Sequence, residues 1–204
     1  GHGMPAAAGE ALALKMAGCE EVKVFSMEGE GGLTPGGAHE TKNSAWGLGL
    51  DNLYYVVDWN DFGIDDHPVS RVVHGTPKDW FGAHGWRVLG TEQGSDWAPV
   101  TRTLLEMLLG ENPEQLPSAA WLKTRKGRGY LSYDAGSHGA PHKINSDKYW
   151  QLRKEFSAKY GARFQNVDGP PPAGAEAARA EFEANLRAVI EVLHADQPLV
   201  DYLA

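Results

Sequence analysis

Val22-Lys23-Val24-Phe25-Ser26-Met27-Glu28-Gly29-Glu30-Gly31 decides how this chain is read. Val22 to Met27 is a short apolar-rich run of strand character, and an acid between two glycines follows it. A second run, Leu53-Tyr54-Tyr55-Val56-Val57, leads through Asp58-Trp59 to Asn60. Both polar groups therefore fall where the carboxyl ends of parallel strands meet, the crevice in which open α/β sheets bind ligands. A carboxylate, an amide oxygen and glycine backbone that admits a charged group closely are the parts a magnesium-bound diphosphate needs.

Outward from this pair, apolar runs alternate with segments long enough for crossover helices. The pattern predicts an α/β fold with an open, mostly parallel sheet and helices on both faces. Pro5 to Ala17 reads as a helix stopped by Gly18, and Thr34 is expected to cap a second helix that starts at Pro35 and runs toward Leu50. Gly47 and Gly49 weaken the end of that helix. A short helix over Lys78 to His84 precedes a third strand, Trp86 to Leu89, and a helix over Trp97 to Leu109 precedes a fourth, Trp121 to Thr124. Gly127, Gly129 and Gly136 mark an irregular loop, and Asp147 to Tyr160 reads as helical. Gly169-Pro170-Pro171-Pro172 breaks the chain before an amphipathic helix, Glu176 to His194, which serves as a linker or an interface element. The expected division is one domain over 1–168 and a tail over 169–204.

The chain has 204 residues and a net charge of -8, without a basic stripe, which argues against nucleic acid as the main partner. Its single cysteine, Cys19, excludes an intramolecular disulfide framework and reads as a packed helix residue. No apolar run reaches membrane-spanning length, and the first residues carry no signal-peptide pattern. A soluble cytoplasmic protein is the expectation.

The Gly29-Glu30-Gly31 and Asn60 arrangement resembles the thiamine-diphosphate motif of the transketolase family, in which Gly-Asp-Gly precedes a strand ending in Asp and Asn. Further blocks match in the same order over roughly residues 1 to 160. They are Gly1-His2-Gly3-Met4-Pro5-Ala6-Ala7-Ala8-Gly9, Asp58-Trp59-Asn60-Asp61-Phe62-Gly63-Ile64-Asp65, Lys126-Gly127-Arg128-Gly129-Tyr130 and Ser137-His138-Gly139-Ala140-Pro141. The resemblance implies a pyrophosphate-binding domain with thiamine diphosphate and Mg2+ as cofactors, Ca2+ or Mn2+ being possible replacements. It implies Glu30, Asn60 and the backbone carbonyl of Phe62 as metal ligands. Cofactor contacts fall to Gly31, Asp58, Asn60, Ile64 and His138, with Gly1 and Gly3 at the aminopyrimidine. His138 would also meet the donor substrate, and Glu40 matches a glutamate that works across the subunit interface.

The sequence departs from the family pattern at two places, with Glu30 where Asp is usual and Pro35 where many members carry a bridging glutamate. His39, His67, His74, His84 and His194 stand in no motif and read as structural or solvated, and Pro141 argues against His138 and His142 acting as a helical metal pair. The family's activating glutamate and phosphosugar-binding arginines belong to a pyrimidine-binding domain that these residues do not contain. The first residues resemble the middle of a fold whose usual start is absent. The expected activity is two-carbon ketol transfer between sugar phosphates, shared with a pyrimidine domain on another chain or segment in a dimer or heterotetramer. Rival readings are a subunit like the pyruvate dehydrogenase first component, a deoxyxylulose phosphate synthase, and a non-catalytic or regulatory module. A dinucleotide fingerprint beginning at Gly29 is also considered, but Thr34 stands where it needs Gly or Ala.

Overall fold

A computed structural model of the protein describes residues 1–139 and 141–204. Ala140, in the Ser137 to Pro141 block, lies outside the described residues. The chain divides into two compact units, Gly1–Gly127 with Tyr133–His138, and Arg128–Ser132 with Gly139–Ala204.

The first unit holds a four-stranded sheet, every pairing of which is parallel. Its elements are α1 (Gly3–Met16), β1 (Val24–Gly29), α2 (Gly36–Gly47), β2 (Leu53–Trp59), α3 (Pro77–Gly82), β3 (Arg87–Thr91), α4 (Trp97–Leu109) and β4 (Ser118–Lys123). The strand order is β1-β2-β4-β3, so the chain moves outward through β2 to β3 and then turns back to insert β4. Crossovers of one hand place their helices on opposite faces when the direction of travel reverses. The two cores show that division. Leu53, Tyr55, Val57 and Ala119 pack with Ala7 and Ala11 of α1, Ala38 and Ala45 of α2 and Phe81 of α3. Tyr54, Val56 and Ala120, whose side chains alternate to the other face, pack with Met107 of α4.

Most elements lie where the sequence places them, and α4 and the later helix Asp147–Tyr160 match to the residue. Several expectations change. Thr34 does not cap α2, because Glu30–Leu33 forms a 3-10 turn and the Thr34 hydroxyl donates back to Gly31 O at 3.0 Å. Pro35 becomes the extended residue before the helix, and α2 ends at Gly47 rather than Leu50. The fourth strand starts at Ser118, not Trp121, because the central place between two neighbours suits the small residues Ser118, Ala119 and Ala120, all fully buried. Cys19 lies past the end of α1, in the turn that follows Gly18, and is partly exposed.

The second unit contains α5 (Asp147–Tyr160), α6 (Ala175–His194) and α7 (Gln197–Leu203). Ser146 caps α5 and Gly161 closes it in the left-handed conformation. Trp150 and Asn185 are buried there, and Asn185 Oδ1 accepts the Gln165 N–H at 2.7 Å. Phe182, Leu186 and Leu193 on α6 remain exposed. His142 stacks on Tyr130 with ring centroids 4.4 Å apart, which gives it a local structural role. Among the described residues, no helix is long and apolar enough to cross a membrane.

Candidate functional site

At the carboxyl edge of the sheet, β1 and β2 pair in register with Gly29 beside Asp58. Glu30 follows directly and Asn60 lies two residues beyond Asp58, so residues thirty positions apart meet. The Glu30 side chain is only 1 % exposed. Its Oε2 accepts the Asn60 backbone N–H at 3.1 Å, while Oε1 is buried with no hydrogen-bond partner. Burial, together with the Asp58 charge, pushes the Glu30 carboxyl above its usual range despite the backbone hydrogen bonds it accepts.

Asn60 is held on both sides of its amide. Nδ2 donates to Asp58 Oδ2 at 3.3 Å and Oδ1 accepts the Phe62 N–H at 3.0 Å. Asp58 is in turn fixed by the Thr124 hydroxyl, which donates to its Oδ1 from the end of β4. The loop beyond is closed by Asp61, a positive-φ residue at 69° whose carboxylate accepts from the Ser70 N–H and hydroxyl, both at 2.8 Å. This presents the Phe62 and Gly63 carbonyls to one point. Lys126 fills that point, its ammonium donating to Phe62 O at 3.3 Å, to Gly63 O, and to His138 Nδ1 at 2.9 Å.

These groups line one open cavity of about 1120 Å³, shared by Glu28, Glu30, Gly31, Asn60, Phe62, Ile64, Lys126 and His138. Ile64 is 71 % exposed on the cavity wall, so core packing does not account for it. Gly3 reaches the same region through its N–H, which donates to Glu28 Oε1 at 3.2 Å. Gly1 lies beside Pro35, at the edge of the same loop. Glu40 is exposed on α2 and is not part of the cavity lining.

An oxygen-only site for a divalent cation is chemically consistent with this arrangement. Glu30 Oε1 is an orphaned buried acceptor, Asn60 Oδ1 keeps a second lone pair, and Phe62 O already attracts a cation. Among the described residues, no group of three or more His, Cys, Asp or Glu is placed to hold a metal. One carboxylate, one amide and one carbonyl suit magnesium, which keeps water or phosphate oxygens for its remaining positions.

Four participants escape the sequence reading. Lys126 stands in one of the matching blocks without a role there, although a lysine just past a strand end in a glycine-rich loop is a usable signal. Thr124 cannot be paired with Asp58 without knowing that β4 lies beside β2. Glu28 and Tyr55 are the remaining two, with the Tyr55 hydroxyl donating to Glu28 Oε2 at 2.6 Å. Burial, and then that carboxylate, push Tyr55 far up, so it remains a protonated donor. Gly3 and Gly32 both pack on the carboxylate: a Cβ at either position would come within 2.9 and 2.8 Å of its oxygens. His67, read as structural or solvated, lines the cavity wall.

The sequence and the fold have counterparts among known proteins. The chain is 29 % identical over 148 residues to one subunit of the apulose-4-phosphate transketolase of Actinobacillus succinogenes, covering 71 % of this chain and 50 % of that protein. It is 28 % identical over 143 residues to a transketolase of Halalkalibacterium halodurans, covering 65 % of this chain and 20 % of that one. The chain thus spans half or less of the length of these relatives. Its fold is that of a Pichia stipitis transketolase, with TM-score 0.66 at 21 % identity over 99 % of this chain and 30 % of that one. A Campylobacter jejuni transketolase gives TM-score 0.64 at 22 % identity, over 95 % of this chain and 30 % of that one. Residues 6–167 match the family model of the transketolase thiamine diphosphate binding domain. The chain therefore belongs to the transketolase family and carries its thiamine diphosphate binding domain.

Proposed function

We propose that this chain is the thiamine-diphosphate- and Mg2+-binding section of a transketolase-like enzyme that transfers a two-carbon ketol unit between sugar phosphates in the cytoplasm. The observation that carries the reading is the buried, orphaned Glu30 Oε1 beside Asn60 at the carboxyl edge of the sheet. A carboxylate left without a partner in such a place is costly unless a cation completes it.

Glu30, Asn60 and the Phe62 carbonyl would hold the metal, and Gly31 would bring backbone N–H toward the diphosphate. Lys126 supplies a positive charge to the same cavity. An ammonium can only donate, so His138 Nδ1 accepts from Lys126, and the neutral imidazole carries its proton on Nε2. That places a donor on the cavity wall for a phosphate oxygen or a substrate hydroxyl. Asp58, tied to Thr124, orients the Asn60 amide. Ile64 offers an apolar surface to a ring, and Gly1 and Gly3 lie by the loop at which the aminopyrimidine would rest. When bound, thiamine diphosphate supplies a carbon nucleophile and an electron sink for cleaving a carbon–carbon bond.

The activating glutamate and the phosphosugar-binding arginines are assigned to a pyrimidine-binding domain, on another chain or segment, in a dimer or heterotetramer. Glu40, exposed on α2, is the residue this chain would bring to that interface. The partial coverage of the relatives supports this division, and one of them is itself named as a subunit.

Calorimetry of the assembled complex tests the reading. Thiamine diphosphate is expected to bind only with Mg2+ or Ca2+, and Asn60→Ala to weaken binding by about tenfold or more, the range for disturbed metal support. Equal binding by Asn60→Ala refutes the metal assignment. Ketol transfer by the rigorously purified chain alone refutes the need for a partner.

A further inference from the structure

A second cluster of ionisable groups lies between α2 and the end of α3. His39, Lys42 and Asn43 occupy i, i+3 and i+4 on α2, so their side chains share one flank of the helix. His84 joins them from just beyond α3: Asn43 Oδ1 accepts from His84 Nδ1–H at 2.7 Å, and the His39 and His84 ring centroids are 6.4 Å apart. An amide oxygen can only accept, so the His84 proton sits on Nδ1. Its Nε2 has no hydrogen-bond partner among the described residues.

Lys42 is the anomalous member. The residue is 1 % exposed and, among the described residues, its ammonium makes no hydrogen bond or ion pair; Nζ is not one of the buried unpartnered atoms, so the little exposure the residue has reaches the ammonium. It lies over the Phe81 ring, 5.5 Å from the centroid, which supplies a weak electrostatic attraction. Buried charges in folded proteins are paired, because water is otherwise the better solvent for them. Three cation-capable side chains are gathered here without a carboxylate among the causes of their perturbation. Burial lowers the Lys42 pKa; the Lys42 charge and then burial lower His39; burial, Lys42 and His39 lower His84. Glu40 follows His39 in sequence but points about 100° around the helix.

We propose that His39, Lys42, Asn43 and His84 form a binding site for a small oxyanion, specifically a phosphate group. The Lys42 ammonium, protonated His84 Nε2 and the Asn43 amide N–H are the donors, and exposed His39 closes the rim. Charge-assisted hydrogen bonds to phosphate supply the counter-charge that the protein itself withholds from Lys42. None of these four residues lines the cavity of Glu30 and Lys126, so this is a separate site that does not rest on the cofactor reading. Free phosphate and the phosphate of a sugar phosphate present the same oxygens.

The test is a titration of the full chain, in phosphate-free buffer, with inorganic phosphate and separately with a pentose 5-phosphate, following the imidazole signals of His39 and His84 by NMR. Saturable shifts of both rings with one dissociation constant are expected, together with a rise in their apparent pKa values. Lys42→Met weakens binding about tenfold or more and His84→Gln, on a partly exposed side chain, several-fold, whereas Lys126→Met leaves it unchanged. Tighter binding of the pentose phosphate identifies a sugar phosphate as the source, and equal binding identifies free phosphate. Absence of a saturable shift, wild-type affinity in both folded variants at positions 42 and 84, or loss of the shift in Lys126→Met overturns the proposal.

Discussion

Replacing Glu30 by Gln should make the metal-free protein more stable at neutral pH. The carboxyl is 1 % exposed, one of its oxygens is orphaned, and burial followed by the Asp58 charge raises its pKa. A group whose folded pKa lies above its unfolded value binds protons more tightly in the folded state. Its unfavourable effect is thus absent well below the ordinary carboxylate range, grows as pH rises through the raised folded value, and is complete above it. Gln keeps the shape and the acceptor for the Asn60 N–H while removing the charge. The Gln amide nitrogen takes the orphaned place of Oε1 and stays without a partner, so only the extra cost of the buried charge is relieved, about 1–3 kcal/mol. For a chain of this length that corresponds to a rise in Tm of about 2–12 °C. The assay is thermal unfolding by circular dichroism in EDTA at pH 7 and again near pH 4, where the gain should shrink. Adding Mg2+ with thiamine diphosphate to the assembled complex should reverse the ranking, because only the carboxylate can ligate the ion strongly. A Gln variant less stable than wild type in EDTA at pH 7, or a gain that does not change with pH, would refute the reasoning.

Tyr55→Phe removes the donor to Glu28 and leaves a carboxylate under-satisfied, which should cost about 1–3 kcal/mol in denaturant unfolding; an unchanged midpoint would show that the pair contributes nothing. Gly90→Ala places a Cβ 2.0 Å from the Trp121 ring, which also packs edge-on against Trp59, and overpacking of this kind costs about 1–3 kcal/mol. Wild-type stability in that variant would mean that Trp121 can move aside freely. His39 and His84, both lowered, contribute stability that is present above their ordinary value of 6.5 and lost as pH falls through the folded values. Stability measured in phosphate-free buffer should therefore decline on acidification through this range, and less steeply in Lys42→Met. An identical slope in that variant would remove Lys42 as a cause.

Local pattern carried the alternation of helix and strand, and it carried the meeting of Glu30 with Asn60, because both follow strands that pair directly. It could not carry the place of β4. Ser118, Ala119 and Ala120 have little strand preference, and only insertion between β2 and β3 makes their smallness an advantage. With the start and neighbours of β4 hidden, Thr124 had no visible relation to Asp58, and Lys126 none to the Phe62 carbonyl. The Thr34 expectation failed for a related reason. A Thr before a Pro is a sound capping signal, but the residues ahead of it were already committed to the 3-10 turn that buries Glu30. Glu28 was hidden by its position inside a strand, where its alternate facing alone did not reveal that Gly3 and Gly32 leave room for its carboxylate.

Because all four strands run the same way, their carboxyl ends emerge on a single edge, and the candidate site lies there and not at the opposite edge. There the turn before β4 is self-contained: the Asn112 side chain accepts the Leu116 N–H at 3.1 Å and donates to Leu116 O at 2.8 Å. The sheet therefore has one edge where almost any insertion disturbs the candidate site and another where affinity tags, reporter peptides or fluorophores can be grafted beside a closed turn. Engineering of the chain, and natural lengthening of its loops, should follow that polarity.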